Sequence, residues 1–300
     1  MPRRVTTTRR LSVLAVASAL ATVVALPAMP ASAATPTLFG VSVSKSNGGT
    51  FAQALQHQQA AYGPLPISRV FYNTPGPQPW PGSDAGLSHK PVVVSFYYPP
   101  TEVTAGTHDA TMKAWFKQAP RTYDIFWSYQ HEPEDNVTRG EFTAAQYRGA
   151  WVHLSKLAIA ANNPHLRSTL ILMCWTLASH SNLNWHDYYA GRQFVSIIAF
   201  DCYNHGWRRG HYTDPATMFR DVTPWAAANH IPWAIAEVGS IKMGWDTTGS
   251  GRAAWLKSIG AWLSGKAIFV NYFDVNKRTD YLLTDTPSKR AWRAVVASSG

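Results

Sequence analysis

Two glutamates stand where acid–base and nucleophilic chemistry could be done. Glu132 falls in "YQHEPED" (129–135), where His131, Glu132, Glu134 and Asp135 surround Pro133. The preceding "YDIFWS" (123–128) is apolar and aromatic and reads as a buried strand. Pro133 stops helix from forming across the acidic stretch. Glu237 closes a second apolar run, "PWAIAEVG" (232–239). A buried carboxylate is costly unless hydrogen-bonded or paired. Two carboxylates at one site can divide the labour of cleaving a bond, one donating a proton and the other attacking carbon. A plainer reading stays open at each. The first stretch can be a polar turn, and Glu237 can answer a buried arginine such as Arg69. Glu134 and Asp135 are expected to belong to that polar turn.

Other chemistries find little support. "HEPED" is not H-E-x-x-H, and no Cys/His spacing matches a zinc site. No glycine loop is shaped to cradle phosphate. Neither metal nor cofactor is expected. The net charge is +10, with Arg3, Arg4, Arg9 and Arg10 in the first ten residues and the other basic residues scattered. That pattern is a solvated surface rather than a nucleic-acid module. "MPRRVTTTRR", the apolar run behind it and "MPASAATP" form a charged region, a hydrophobic region and a small-residue processing site. Cleavage is expected after Ala33, giving a secretory signal at 1–33 and an extracellular, monomeric protein with no membrane segment left.

Residues 34–300 show no linker, repeat or charge block and read as one domain. Eight strand candidates lie at 38–44, 67–72, 91–98, 123–130, 168–175, 194–203, 232–239 and 267–275. Several are apolar on consecutive residues, as parallel strands covered on both faces are. Helical stretches alternate with them at 50–62, 107–119, 143–162, 214–230, 252–264 and 286–299. That alternation predicts an α/β fold, a single (β/α)₈ barrel. An open doubly wound sheet is the alternative. Catalytic groups of a barrel sit at the C-terminal strand ends. Glu132 then ends strand four and Glu237 strand seven, facing one another across the mouth as glycoside hydrolysis requires.

The strand ends resemble one family in particular. "QHEP" (130–133), "VSIIAFDCYN" (195–204), "IAEVGS" (235–240) and "MCWTLASHSN" (173–182) are similar to the fourth, sixth, seventh and fifth strands of glycoside hydrolase family 26. That family belongs to the retaining (β/α)₈ clan. The resemblance covers most of residues 34–300 and is thin at strands one to three. Strand eight departs from the family, ending "YFDV" where a tryptophan is usual. The resemblance implies that Glu132 is the acid/base and Glu237 the nucleophile, with carboxyls about 5–5.5 Å apart. It implies a β-linked polysaccharide substrate: β-1,4-mannan first, then β-1,3/1,4-glucan or β-1,3-xylan. His131, Asp201, Tyr203 and Asn204 are its implied sugar-side residues, with Tyr203 holding the nucleophile. A binding protein on a barrel that has lost catalysis is the alternative of another class.

Thirteen tryptophans is high for 300 residues. Flat aromatic faces pack against sugar C–H faces. Tyr98, Trp175 and Tyr272 at strand ends, with Trp207 and Trp245 in loops, are expected to supply that surface. Cys174 and Cys202 end neighbouring strands, where parallel Cβ vectors oppose a bridge, so two buried free thiols are expected.

Overall fold

The computed structural model describes residues 36–45, 49–72, 74–80, 90–277 and 279–299, without the side chains of Trp207 and Arg209. The expected signal segment lies outside the described residues. Eight strands form the centre: β1 Leu38–Val43, β2 Ser68–Phe71, β3 Val92–Phe96, β4 Ile125–Tyr129, β5 Leu166–Met173, β6 Ile197–Tyr203, β7 Trp233–Gly239 and β8 Phe269–Tyr272. Each pairs in parallel with the next, and β8 closes on β1. The expected (β/α)₈ barrel is the observed fold. Around it run α1 Phe51–Tyr62, α2 Pro100–Thr104, α3 Asp109–Gln118, α4 Pro133–Thr138, α5 Ala144–Ala160, α6 Pro215–Met218, α7 Val222–Asn229, α8 Ser250–Leu263 and α9 Thr286–Ala297. No helix among the described residues is long and apolar enough to cross a membrane.

Local chemistry sets the helix starts. Thr50 with Gln53 and Thr143 with Gln146 are reciprocal capping boxes on α1 and α5. Asp214 and Asp285 cap α6 and α9, each with proline at the next position. The single helix expected over 214–230 is broken in two. Pro224 would clash with the carbonyl four residues earlier, so the first piece ends before it. Pro133 likewise starts a helix, α4, rather than forbidding one.

Strand alternation divides the core in two. Val41, Val70, Trp127, Leu170, Phe200 and Ile235 point outward to the helices. Ile67, Val93, Phe126, Ile171, Ala199, Ala234 and Phe269 fill the lower barrel interior. Above them the inward positions turn polar: Ser42, Arg69, Ser95, Ser128, Asp201 and Asn271, all buried. Glu237 joins this layer through an irregularity. Phe200 pairs with Ile235, yet Asp201 pairs with Glu237, so β7 carries one extra residue, Ala236. The same offset recurs against β8. This β-bulge turns both Ala236 and Glu237 inward.

Cys174 and Cys202 are joined in a disulfide, which corrects the expectation of free thiols. β5 ends at Met173, the register partner of Asp201. Cys174 already belongs to the 3-10 turn Cys174–Leu177. Its Cβ is therefore released from the parallel strand direction, and the Cα atoms lie 5.1 Å apart. The bridge spans a sequence separation of 28, for which chain-entropy arguments give about 3–4 kcal/mol. Replacing both cysteines with serine is expected to lower Tm by roughly 6–12 °C. Differential scanning fluorimetry measures this; an unchanged Tm would show that the bridge constrains little.

Candidate active site

The C-terminal ends of β2, β4, β6 and β7 bring six titratable groups together: Arg69, His131, Glu132, Asp201, Tyr203 and Glu237. Arg69, on β2, is fully buried. Its Nε and Nη2 donate to Glu237 Oε1 at 3.2 and 2.9 Å, and Nη1 donates to Ser95 Oγ at 3.0 Å. Tyr203, the last residue of β6, donates its hydroxyl to Glu237 Oε2. Both carboxylate oxygens are therefore held. Burial pushes the Glu237 pKa up, but the Arg69 guanidinium and the tyrosine bond outweigh it and hold the group below its ordinary value. Glu237 is an ionised, oriented carboxylate. The plainer reading of Glu237, an answer to Arg69, is thus also realised.

Glu132 has the opposite character. It is half-buried, in the turn between β4 and α4. Gln130 and Glu132 both have positive φ, 46° and 50°, conformations that cost non-glycine residues on the order of 1–3 kcal/mol each. Neighbouring strands fix the turn: Gln130 N donates to Phe96 O at 2.8 Å and Glu132 N to Ile171 O at 3.0 Å. Desolvation, then the Glu237 charge, pushes the Glu132 pKa up to about 8. At neutral pH it is a carboxylic acid that can donate a proton. A protonated acid and an ionised carboxylate in one site are the complementary states that acid-assisted displacement needs.

Asp201 stands beside the pair, buried, with Oδ2 3.9 Å from Arg69 Nη2. Burial and then Glu237 raise its pKa well above the ordinary value, so it is neutral. The His131 ring lies 5.5 Å from that of Phe71. Burial and Arg69 lower its pKa to about 4, which keeps it uncharged at neutral pH. An aromatic wall adjoins Tyr203. Tyr281 stacks on it at 4.7 Å, and Phe273 meets both Tyr203 and Phe71 at 5.9 Å. Gly239 makes room, since a Cβ there would come within 3.1 Å of Tyr203 and Tyr281.

The other expected residues divide. Trp175 and Trp245 are exposed on loops after β5 and β7. The side chain of Trp207 lies outside the described residues. Tyr98, Asn204 and Tyr272 are buried and held by partners within the fold. Tyr98 is buried and stacked on His108 at 3.7 Å. Asn204 is buried; its amide oxygen accepts from Gly206 and Thr213 and its nitrogen donates to Ser240 Oγ. Tyr272 sits at an outward position of β8, where its hydroxyl donates to the Ser240 and Tyr281 carbonyls. Glu134 is no surface residue: it is buried and accepts from Met173 N at 3.0 Å and from the Thr176 hydroxyl. It ties α4 to the turn after β5. Ser95, Phe71, Phe273 and Tyr281 escaped the sequence reading. Ser95 had a signal, being a polar residue inside "VVVSF", as Arg69 is inside "SRVF". Among the described residues no group of three or more His, Cys, Asp or Glu is placed to hold a metal ion.

No family model matches the chain, and no curated protein does. Solved structures resemble it in fold. The catalytic domain of a Bacillus sp. JAMB-750 GH26 endo-β-1,4-mannanase superposes with a TM-score of 0.57 at 13% identity, over 87% of this chain and 86% of that one. A GH128 endo-β-1,3-glucanase from Amycolatopsis mediterranei, solved with laminaripentaose, gives 0.54 at 16% identity, over 86% and 99%. Thermotoga maritima Cel5A, solved with cellobiose, gives 0.53 at 13%, over 86% and 96%. At such identities the likeness establishes the shared barrel.

Proposed function

We propose that this protein is a retaining β-glycosidase acting on a β-linked polysaccharide. The observation that carries the reading is the arrangement at one barrel mouth of Glu237, held on both oxygens by Arg69 and Tyr203, and Glu132 in the turn after β4. Glu237 Oε attacks the anomeric carbon as Glu132 protonates the leaving glycosidic oxygen, giving a glycosyl ester and a free sugar hydroxyl. Glu132, now ionised, takes a proton from water, whose oxygen displaces Glu237 and restores both groups. Arg69 and Tyr203 steady the Glu237 carboxylate as leaving group in that second step. In this reading uncharged His131 bonds a sugar hydroxyl, while Asp201, its side chain fully buried, lies beneath the pair without adding charge. Two inversions give net retention, which needs carboxyls about 5–5.5 Å apart.

β-1,4-mannan is the first substrate in this proposal, supported by the strand-end resemblance and by the mannanase among the fold neighbours. β-1,3-glucan, β-1,3/1,4-glucan and β-1,3-xylan follow. Export through the leader and action as a monomer complete the reading. The test is sugar release from these four polysaccharides, with the product anomer read by NMR before it equilibrates. Release of the β-anomer is expected. No release from any polymer, or release of the α-anomer, overturns the reading; binding without release leaves a sugar-binding barrel.

A further inference from the structure

Glu134 is a carboxyl that the proposed mechanism does not use. It is fully buried, and burial pushes its pKa up to about 7. Its Oε2 meets no hydrogen-bond partner among the described residues. The titratable groups around it are Glu132 and Asp135 on its own segment, Tyr147 on α5, Tyr188 and Asp201. None of these is a cation. A buried carboxyl in such a place is costly, and a glutamine would accept the same two hydrogen bonds without the charge.

Its position follows from the edge of β5. The register pairs between β4 and β5 run only from Ile125–Leu166 to Trp127–Ser168. On its other side β5 stays paired with β6 up to Met173–Asp201. The edge left over towards β4 is taken up by the turn that carries Glu132. Glu132 N donates to Ile171 O at 3.0 Å. Two residues further along each chain, Met173 N donates to Glu134 Oε1 at 3.0 Å. Alternate residues of a strand aim their backbone groups to the same side, so the Glu134 side chain continues the ladder that the backbone has left. The Thr176 hydroxyl donates to the same oxygen. Thr176 lies in the turn whose first residue, Cys174, is bonded to Cys202 of β6. Cys202 precedes Tyr203, which holds Glu237. A chain of bonds thus joins the support of one carboxyl to the support of the other.

We infer that Glu134 is the positioning residue of Glu132: its buried carboxyl braces the turn that presents the acid against β5 and, through Thr176 and the Cys174–Cys202 bridge, against the strand that carries Tyr203. The inference rests on the glycosidase reading and deepens it, from which carboxyl is the acid to what holds it in place. Gln130 and Glu132 have positive φ, so the turn relaxes unless it is held. The brace holds it where backbone pairing has run out. The charge acts in the same direction. A carboxylate beside Glu132 disfavours a second one, so Glu132 keeps its proton to higher pH.

The chain has five glutamates, so NMR of protein labelled at the glutamate carboxyl carbon and amide nitrogen gives a small set of signals, assigned with single Gln variants. Glu134→Ala is expected to speed hydrogen exchange at the Glu132 amide about 10-fold or more and to lower the pH at which Glu132 titrates. Thr176→Val removes one donor, keeps the shape, and carries the test if Glu134→Ala does not fold; about 3-fold faster exchange is expected. Glu134→Gln keeps both hydrogen bonds. It should leave exchange within about twofold of the parent yet move the Glu132 midpoint down by about half a pH unit, because the charge is gone. On whichever of the four polysaccharides is cleaved, Glu134→Ala should lower kcat about 10- to 100-fold with KM within about twofold. Glu134→Gln should recover most of that loss, with its alkaline limb at lower pH. Glu132 exchange and titration unmoved in Glu134→Ala and Thr176→Val overturn the inference, whatever the activity. A lower Tm with an unmoved Glu132 titration overturns it too, and leaves Glu134 a structural tie. Faster exchange and a lower midpoint at Glu132 without sugar release from any polymer support the brace and count against the glycosidase reading.

Discussion

Glu237→Gln is expected to yield a folded protein whose turnover is lower by roughly 10⁴–10⁶-fold, the scale of loss when a covalent nucleophile is removed. The amide cannot form the glycosyl ester, and nothing else in the site is ionised and oriented for attack. Asp201 is the nearest carboxyl to the pair's guanidinium, at 3.9 Å, but it is held neutral by burial and by Glu237 itself. Removing Glu237 lifts that second influence. Asp201 is then expected to ionise and serve as the counter-ion of Arg69. The substitution should therefore cost far less stability than the 3–5 kcal/mol typical of breaking a buried ion pair outright. Steady-state kinetics with a melting curve separate the two effects. Residual activity above about 1% of the parent would remove Glu237 from the nucleophile's role.

Glu132→Gln is expected to reduce kcat on polysaccharide by about 10²–10⁴-fold, the usual contribution of a general acid. The loss should shrink for aryl glycosides whose phenolate leaves without a proton. The pH profile gives the sharper reading. Glu132 must be protonated to act, and its pKa is raised to about 8 by burial and the Glu237 charge. Activity of the parent should hold to mildly alkaline pH and fall as pH rises through about 8. The acid limb belongs to Glu237, which must be ionised, and lies below the ordinary carboxylate value. Glutamine at 132 should erase the alkaline limb and leave the acid limb in place. An alkaline limb that survives would assign the acid elsewhere. The same raised pKa carries a stability consequence. The folded state holds this proton more tightly than the unfolded chain, so the fold loses stability as pH rises from the ordinary glutamate value towards 8.

The barrel was legible because its strands are short apolar runs at regular spacing, and burial on both faces leaves that mark. Glu132 and Glu237 were legible as carboxylates at the ends of such runs. What sequence could not deliver was side-chain direction. Tyr272 and Tyr98 stand at strand ends like Tyr203, but outward position and loop packing take them to the helix layer and beneath a loop. Glu134 differs from Asp135 by one step along α4, and that step decides between burial against Thr176 and exposure. Cys174 fell one residue past the end of β5, and that residue changed the bridge from strained to feasible. Each is a matter of facing, set by tertiary packing rather than by residue type.

The extra residue in β7 makes the site depend on how the strand is paired as well as on which residues it carries. With Ala236 present, Phe200 and Asp201 face Ile235 and Glu237. An in-frame loss of the Ala236 codon would leave every polar side chain of the site encoded and alter the composition by a single alanine. Regular pairing would then run through, and strict alternation would keep the glutamate facing inward beside Asp201. A gene copy carrying that lesion would still specify a barrel and its aromatic rim. Pairing that ran straight through Ala236, by contrast, would turn the glutamate towards the helices, so the bulge is what lets β7 carry an extra residue and keep Glu237 beside Arg69 and Tyr203.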